Sequence, residues 1–120
     1  RDITIRNSAY WTVHLIGCYD ALIDGISLLN NLKIRNGDGI DVDHSKKVRI
    51  ANCFIESGDD CICLKNRREF EEYGSCEDIV VTPSRLARKI WIKLRMYYSI
   101  IALSKTATGA SAYKTGMKVL

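Results

Sequence analysis

The sequence predicts a mainly β chain wound as an incomplete β-solenoid, on three observations. Short β-rich segments recur at steps of roughly 20 to 30 residues, the period of a solenoid coil. Apolar and polar residues alternate inside those segments, as they do in a strand with one buried face. Asn and Gly stand at the segment ends, where the chain must bend. No helical periodicity competes before residue 82. A β-sandwich is the alternative, and the uneven, coil-like spacing speaks against it.

The segments fall into two series. One runs Ile3-Thr4-Ile5-Arg6-Asn7, Leu22-Ile23-Asp24-Gly25-Ile26, Val48-Arg49-Ile50-Ala51-Asn52-Cys53 and Ile79-Val80-Val81. The other interleaves with it: Trp11-Thr12-Val13-His14-Leu15, Gly39-Ile40-Asp41-Val42-Asp43 and Cys61-Ile62-Cys63-Leu64-Lys65. Alternation turns Ile40, Val42, Ile62 and Leu64 inward, and Asp41, Asp43, Cys61, Cys63 and Lys65 outward. Asn7, Gly17, Asn36, Gly37, Asn52 and Gly58 are the expected left-handed bends.

The 120 residues suffice for one modest domain, and the opening Arg1-Asp2-Ile3-Thr4-Ile5 reads as the inside of a strand, so the chain is expected to be a fragment. No apolar run is long enough to span a membrane. The net charge of +4 conceals a division. Residues 1–82 hold 10 basic and all 14 acidic side chains, whereas residues 83–120 hold 8 basic ones and no acid. Five Cys without CxxC spacing and two isolated His argue against a zinc site, and Cys18 and Cys53 read as buried thiols.

The chemistry concentrates in one alignment. Placing Ile40 over Ile62, one coil away, sets Asn36-Gly37-Asp38-Gly39-Ile40 over Gly58-Asp59-Asp60-Cys61-Ile62. Asp38 then stacks on Asp60 with Asp59 beside them, and parallel strands lie only about 4.8 Å apart. Carboxylates this close repel, so at least one should hold its proton more tightly than usual. Glycosidic hydrolysis needs such a cluster, because one acid protonates the leaving oxygen while a carboxylate activates water. A calcium site or solvated turn acids are the competing readings. Trp11 aligns below Asp38 and offers either a sugar-stacking face or an edge aromatic. His14 aligns with Asp41, as a binding residue or a plain His–Asp hydrogen bond. Lys65 sits over Asp43, to meet a substrate carboxylate or to pair with that aspartate. Arg67-Arg68-Glu69-Phe70-Glu71-Glu72 reads as a solvated loop.

The two acidic segments, Asn36-Gly37-Asp38-Gly39-Ile40-Asp41 and Gly58-Asp59-Asp60-Cys61-Ile62-Cys63-Leu64-Lys65, resemble the signatures of glycoside hydrolase family 28, the polygalacturonases. Asn7-Ser8-Ala9-Tyr10-Trp11-Thr12-Val13-His14 is similar to the segment leading into that site. Gly37 stands where the family usually has Thr or another small residue. The resemblance covers most of residues 1–82 and implies a right-handed parallel β-helix of the pectin-lyase-like kind. It implies Asp59 as general acid, with Asp38 and Asp60 positioning water for an inverting hydrolysis of α-1,4-galacturonosyl linkages. Asn36, Trp11, His14 and Lys65 are the candidate substrate contacts. It also implies a Cys61–Cys76 disulfide, no cofactor or metal, polygalacturonate or a related pectic polysaccharide as partner rather than nucleic acid or membrane, a monomer, and an extracellular or periplasmic place of work. The family's Gly-His-Gly segment and Arg-Ile-Lys clamp are missing, and with only three or so coils the chain alone is expected to have little activity.

The basic segment has two readings. Shifting the frame by one base turns Lys105–Val119 into codons that permit DSNRGIGIQNRDEG, which resembles the family's later strand and clamp, so residues 83–120 read as out-of-frame translation of such a gene. Taken at face value, Leu86, Ile90, Leu94, Tyr97 and Ile101 recur at 3–4 spacing among Arg and Lys, an amphipathic helix suited to anionic membrane or nucleic acid. On either reading the segment is expected to be helical. The functional alternatives to a hydrolase are therefore a non-catalytic polysaccharide-binding solenoid and a tail-driven binder of membrane or nucleic acid.

Overall fold

Asn and Asp residues set the bends of this chain. Asn7, Asn36 and Asn52 all take the left-handed backbone conformation at φ near 53°, which their short polar side chains tolerate better than most. Gly17 takes it at φ 60°. Between the bends lie runs of Val, Ile and Leu long enough for a strand and too short for a helix. The computed structural model describes residues 1–82 and 84 in full and the backbone of five further strands.

The first coil contains β1 (Thr4–Arg6), β2 (Val13–Ile16) and β3 (Tyr19–Asp24), and the second β4 (Ser27–Leu29), β5 (Ile40–Asp43) and β6 (Lys46–Ala51). A third contains β7 (Phe54–Glu56), β8 (Ile62–Lys65) and β9 (Glu77–Val81). Backbone strands β10 (Arg85–Ala87), β11 (Trp91–Leu94), β12 (Ile101–Leu103), β13 (Ser111–Ala112) and β14 (Lys118–Val119) follow. Every strand pairs in parallel with its counterpart one coil on, giving three sheets: β1-β4-β7-β10, β2-β5-β8-β11-β13 and β3-β6-β9-β12-β14. This is a parallel β-helix.

The sequence-predicted register of Ile40 on Ile62 is found, and with it Val13 on Ile40. One assignment changes. Ile3–Asn7 does not belong with Leu22–Ile26, because Thr4–Arg6 pairs with Ser27–Leu29 and founds a sheet of its own. Each described strand of that sheet has only three residues, too few to display alternation in sequence.

The inward side chains Leu28, Ile40, Val42, Val48, Ile50, Ile55, Ile62 and Ile79 are fully buried between the sheets. Cys61, expected outward, joins this core, with its Sγ against Ser57 Oγ at 3.3 Å. It precedes β8, where the backbone is still turning, so strand alternation does not govern it. Gly37 and Gly58 are not left-handed bends. They are glycines because neighbouring backbone presses on them: a Cβ on Gly58 would strike the Ile34 carbonyl, and one on Gly37 would lie 3.0 Å from the same oxygen.

The expected C-terminal helix is also corrected. Leu86, Leu94 and Ile101 lie in β10, β11 and β12, which extend the three sheets, while Ile90 and Tyr97 lie outside the described residues. Open ladder edges of the third coil supply N–H and C=O partners that a solvated helix cannot match. Among the described residues no helix is long and apolar enough to cross a membrane.

Candidate active site

The site lies where the chain enters β2, β5 and β8. The ladder hydrogen bonds continue upstream of the strands: Gly39 N–H donates to the Asp60 carbonyl at 2.9 Å, and Thr12 N–H to that of Asp38 at 3.0 Å. Trp11, Asp38 and Asp60 are thereby stacked in register, one per coil, as the alignment of Ile40 on Ile62 requires. Gly39 makes the approach possible, since a Cβ there would sit 2.5 Å from the Cys61 carbonyl oxygen and 2.6 Å from Ile55 Cγ2.

The three predicted catalytic carboxylates differ in exposure. Asp38 is 4% exposed and Asp60 8%, while Asp59 is half-buried and opens furthest to solvent. Asp59 is held from both ends: its Oδ2 accepts the Asn36 N–H at 3.3 Å, and its carbonyl accepts the Ser57 hydroxyl at 2.8 Å. Asn36 thus meets Asp59 through its backbone.

Lys65 does not pair with Asp43, its register partner. Its Nζ lies 3.1 Å from Asp38 Oδ2 and 2.7 Å from Asp41 Oδ1, and 3.7 Å above the centre of the Trp11 ring. The long side chain reaches diagonally across the face to the two carboxylates nearest the strand starts. Asp41 and Asp43, expected outward, do leave the core face, yet both are fully buried because Lys65, Trp11 and the following loop cover them.

The carboxyl that holds its proton more tightly than usual is Asp41, and the chief cause is burial rather than crowding. Burial pushes its pKa up to about 7 against the partial relief of Lys65, and the nearby Asp38 carboxylate adds to the rise. The Asp41–Lys65 contact is an ion contact without a hydrogen-bond angle, so both Asp41 oxygens lack a well-directed partner among the described residues. Burial pulls Lys65 down, but Asp41, Cys63 and Asp38 outweigh it and hold the ammonium above the usual lysine range. The buried Cys63 thiol is pushed up to about 12. Asp38, Asp41 and Cys63 are close enough to surround a cation, and the Lys65 ammonium lies against both carboxylates of that group.

His14 bonds Asp43 rather than Asp41, with Nε2 3.3 Å from Asp43 Oδ2. The loop after β8 is solvated as expected, with Arg68, Glu69, Glu71 and Glu72 exposed, and it forms a 3-10 helix, Arg68–Tyr73, whose Phe70 faces the first coil. Arg67 lies 5.2 Å from the Trp11 ring and donates its N–H to Asp43, and Phe70 meets the His14 ring edge at 6.3 Å. His44 anchors this loop, its ring nitrogens contacting the carbonyls of Gly74 and Arg67. Trp11 is thus engaged by Tyr10, Lys65 and Arg67. No disulfide joins Cys61 to Cys76, whose Sγ instead contacts the carbonyls of Val42 and Lys65. Cys53 is buried as expected, while Cys18 is half-buried.

Sequence reasoning passed over Asp41, His44, Asn30, Arg67 and Phe70. Asn30, 7% exposed, ties the first coil to the site by donating to Thr12 Oγ1 at 2.6 Å and accepting Ser8 N–H at 3.1 Å. The one available signal was for Asp41, which stands between His14 and Cys63 in register with Lys65 two residues further on.

Residues 1–77 match the family described as glycosyl hydrolases family 28. The chain belongs to that family. Among its family 28 relatives, a probable polygalacturonase of Vitis vinifera is 33% identical over 108 residues, covering 90% of this chain and 21% of the relative. An exopolygalacturonase of Platanus acerifolia is 38% identical over 64 residues, 53% of this chain and 17% of the relative. A polygalacturonase of Medicago sativa is 33% identical over 64 residues, 53% of this chain and 15% of the relative. The chain therefore spans about a fifth or less of the length of the curated relatives it matches. The grape match is longer than residues 1–82 and so reaches into the basic segment. No solved structure matches this family 28 chain.

Proposed function

We propose that these residues belong to a hydrolase that cleaves α-1,4-galacturonosyl linkages of pectic polysaccharide with inversion at the anomeric carbon. The observation that carries the reading is the stacking of Asp38 on Asp60 with the more open Asp59 alongside. Asp59 gives its proton to the leaving glycosidic oxygen as the C–O bond breaks. Asp38 and Asp60 hold a water on the opposite side of the sugar and take its proton as the new C–O bond forms. Family membership and relatives named as polygalacturonases support the substrate class. The same reading puts the protein outside the cell, acting as a monomer without a cofactor. Residues 83–120 are proposed to be out-of-frame translation, which codons that fail to read as β-helix one frame over would refute.

The test is release of reducing ends from polygalacturonate by the chain itself and by the chain grafted in place of the corresponding 108 residues of the grape relative. Asp59→Asn should lower turnover by about 10²–10⁴-fold. Proton NMR of the first products should show the inverted anomer. Turnover that survives Asp59→Asn, or products of retained configuration, would defeat the proposal.

A further inference from the structure

The proposed chemistry leaves one buried group unused. Asp41 is fully buried, has no well-directed hydrogen bond, and shares the Lys65 ammonium with Asp38, at 2.7 and 3.1 Å respectively. Lys65 is only 16% exposed and is sandwiched between these carboxylates and the Trp11 ring, so its charge is spent inside the protein. We propose that Lys65 is a positioning residue for Asp38, and that Asp41, by gaining or losing its proton, decides how much of the Lys65 ammonium Asp38 receives. The inference rests on the reading of Asp38 as one of the hydrolytic carboxylates.

Charge balance governs how the ammonium is shared. With Asp41 protonated, the one ammonium faces one carboxylate, and Asp38 receives the Lys65 N–H undivided. With Asp41 ionised, two carboxylates divide one ammonium and repel each other, and Asp38 holds less of it. Since Asp41 titrates at about 7, the exchange falls in the neutral range. Among the described residues, the other charged or titratable neighbours are otherwise engaged. His14 opposite on β2 is engaged with Asp43, Cys63 on β8 keeps its proton, and Arg67 bonds Asp43 and Glu69. Asp60 faces the same patch from the turn before β8.

Carboxyl 13C NMR of the purified chain tests this without requiring turnover. The Asp38 signal should show an inflection near pH 7 that disappears in Asp41→Asn. In Lys65→Met the Asp41 midpoint should rise by about one pH unit or more, because the relief that Lys65 provides is gone. An Asp38 signal with no inflection near pH 7, or an Asp41 midpoint indifferent to Lys65→Met, overturns the inference. Where turnover is measurable, Lys65→Met should lower kcat by about 10²-fold with KM unchanged, and Lys65→Arg should recover part of it. Asp41→Asn should remove an alkaline fall in kcat near pH 7. A raised KM with kcat intact would make Lys65 a substrate ligand instead. If the chain grafted into the grape relative shows no turnover, the proposed hydrolysis is what fails, and the NMR titration still decides this point; if Lys65→Met does not fold, Asp41→Asn and Lys65→Arg carry it.

Discussion

The first and second coils carry the same kinds of residue at matching positions and bury them very differently. Val13 pairs with Ile40, Leu15 with Val42, Ile5 with Leu28 and Ile23 with Ile50. The second member of each pair is fully buried, while the first is only half-buried at the margin of the core. The second coil has paired strands on both sides in all three sheets, whereas among the described residues the first has them on one side. A solenoid residue is therefore stabilised less by its own apolarity than by having a coil on either side. The candidate site draws on the same arrangement, since Asp38 and Asp60 come from the second and third coils and their burial depends on both.

The largest expected contrast is in cavity cost. Ile50→Ala should lower stability by about 3 kcal/mol, and Ile23→Ala by less than half of that, as read from urea midpoints. Equal costs would break the comparison. Next comes Gly39→Ala, which drives a Cβ into the Cys61 carbonyl and Ile55 and should cost about 2 kcal/mol. Gly25→Ala meets only the flexible Asp2 side chain and should cost about 1 kcal/mol, from its left-handed φ of 66°. Thermal denaturation of both variants would show whether the wall between coils is really the stiffer of the two.

A pH effect is confined to the buried second coil. Asp41 has a folded pKa of about 7 against an ordinary 3.8, so the folded chain holds this proton more tightly than the unfolded one. Its contribution is complete below about pH 4, declines as pH rises, and is lost once pH passes about 7. Asp41→Asn should flatten that decline by about 1 kcal/mol per pH unit across the window, measured as denaturant midpoints at several pH values. A slope unchanged by the substitution would mean that Asp41 is not buried as a proton-holding group. The smallest effect belongs to the first coil's surface. Arg1→Ala removes an ion pair to Asp24 at 3.1 Å whose arginine is two-thirds exposed, and should change stability by under about 0.5 kcal/mol, less still in high salt.

Much of this is legible in the sequence. The spacing of Gly39-Ile40-Asp41-Val42-Asp43 and Cys61-Ile62-Cys63-Leu64-Lys65 points to the register, because the stretches match position for position and a one-residue slip would turn Ile62 and Leu64 away from the face that Ile40 and Val42 bury. The stacking of Asp38 on Asp60 follows from it. The β1-β4-β7-β10 sheet was not legible, since three-residue strands such as Ser27–Leu29 carry no readable pattern. Nor was the fate of Leu86, Leu94 and Ile101, whose spacing suits a helix until open strand edges lie next to them.

The sequence by itself determined the coil period, the alignment of the two acidic motifs and the bends at Asn7, Asn36 and Asn52, because these depend on backbone geometry and on contacts repeated at a fixed interval. Only the tertiary structure decided what covers the outward face. Lys65 chose Asp38 and Asp41 over its register partner, His14 chose Asp43, and the loop after β8 brought Arg67 and Phe70 onto Trp11 and His14. A long side chain or a folded-back loop can reach several partners, and the one it takes depends on which charges burial has left unsolvated. That is why Asp41, to which neither motif assigns a role, holds its proton up to near neutrality.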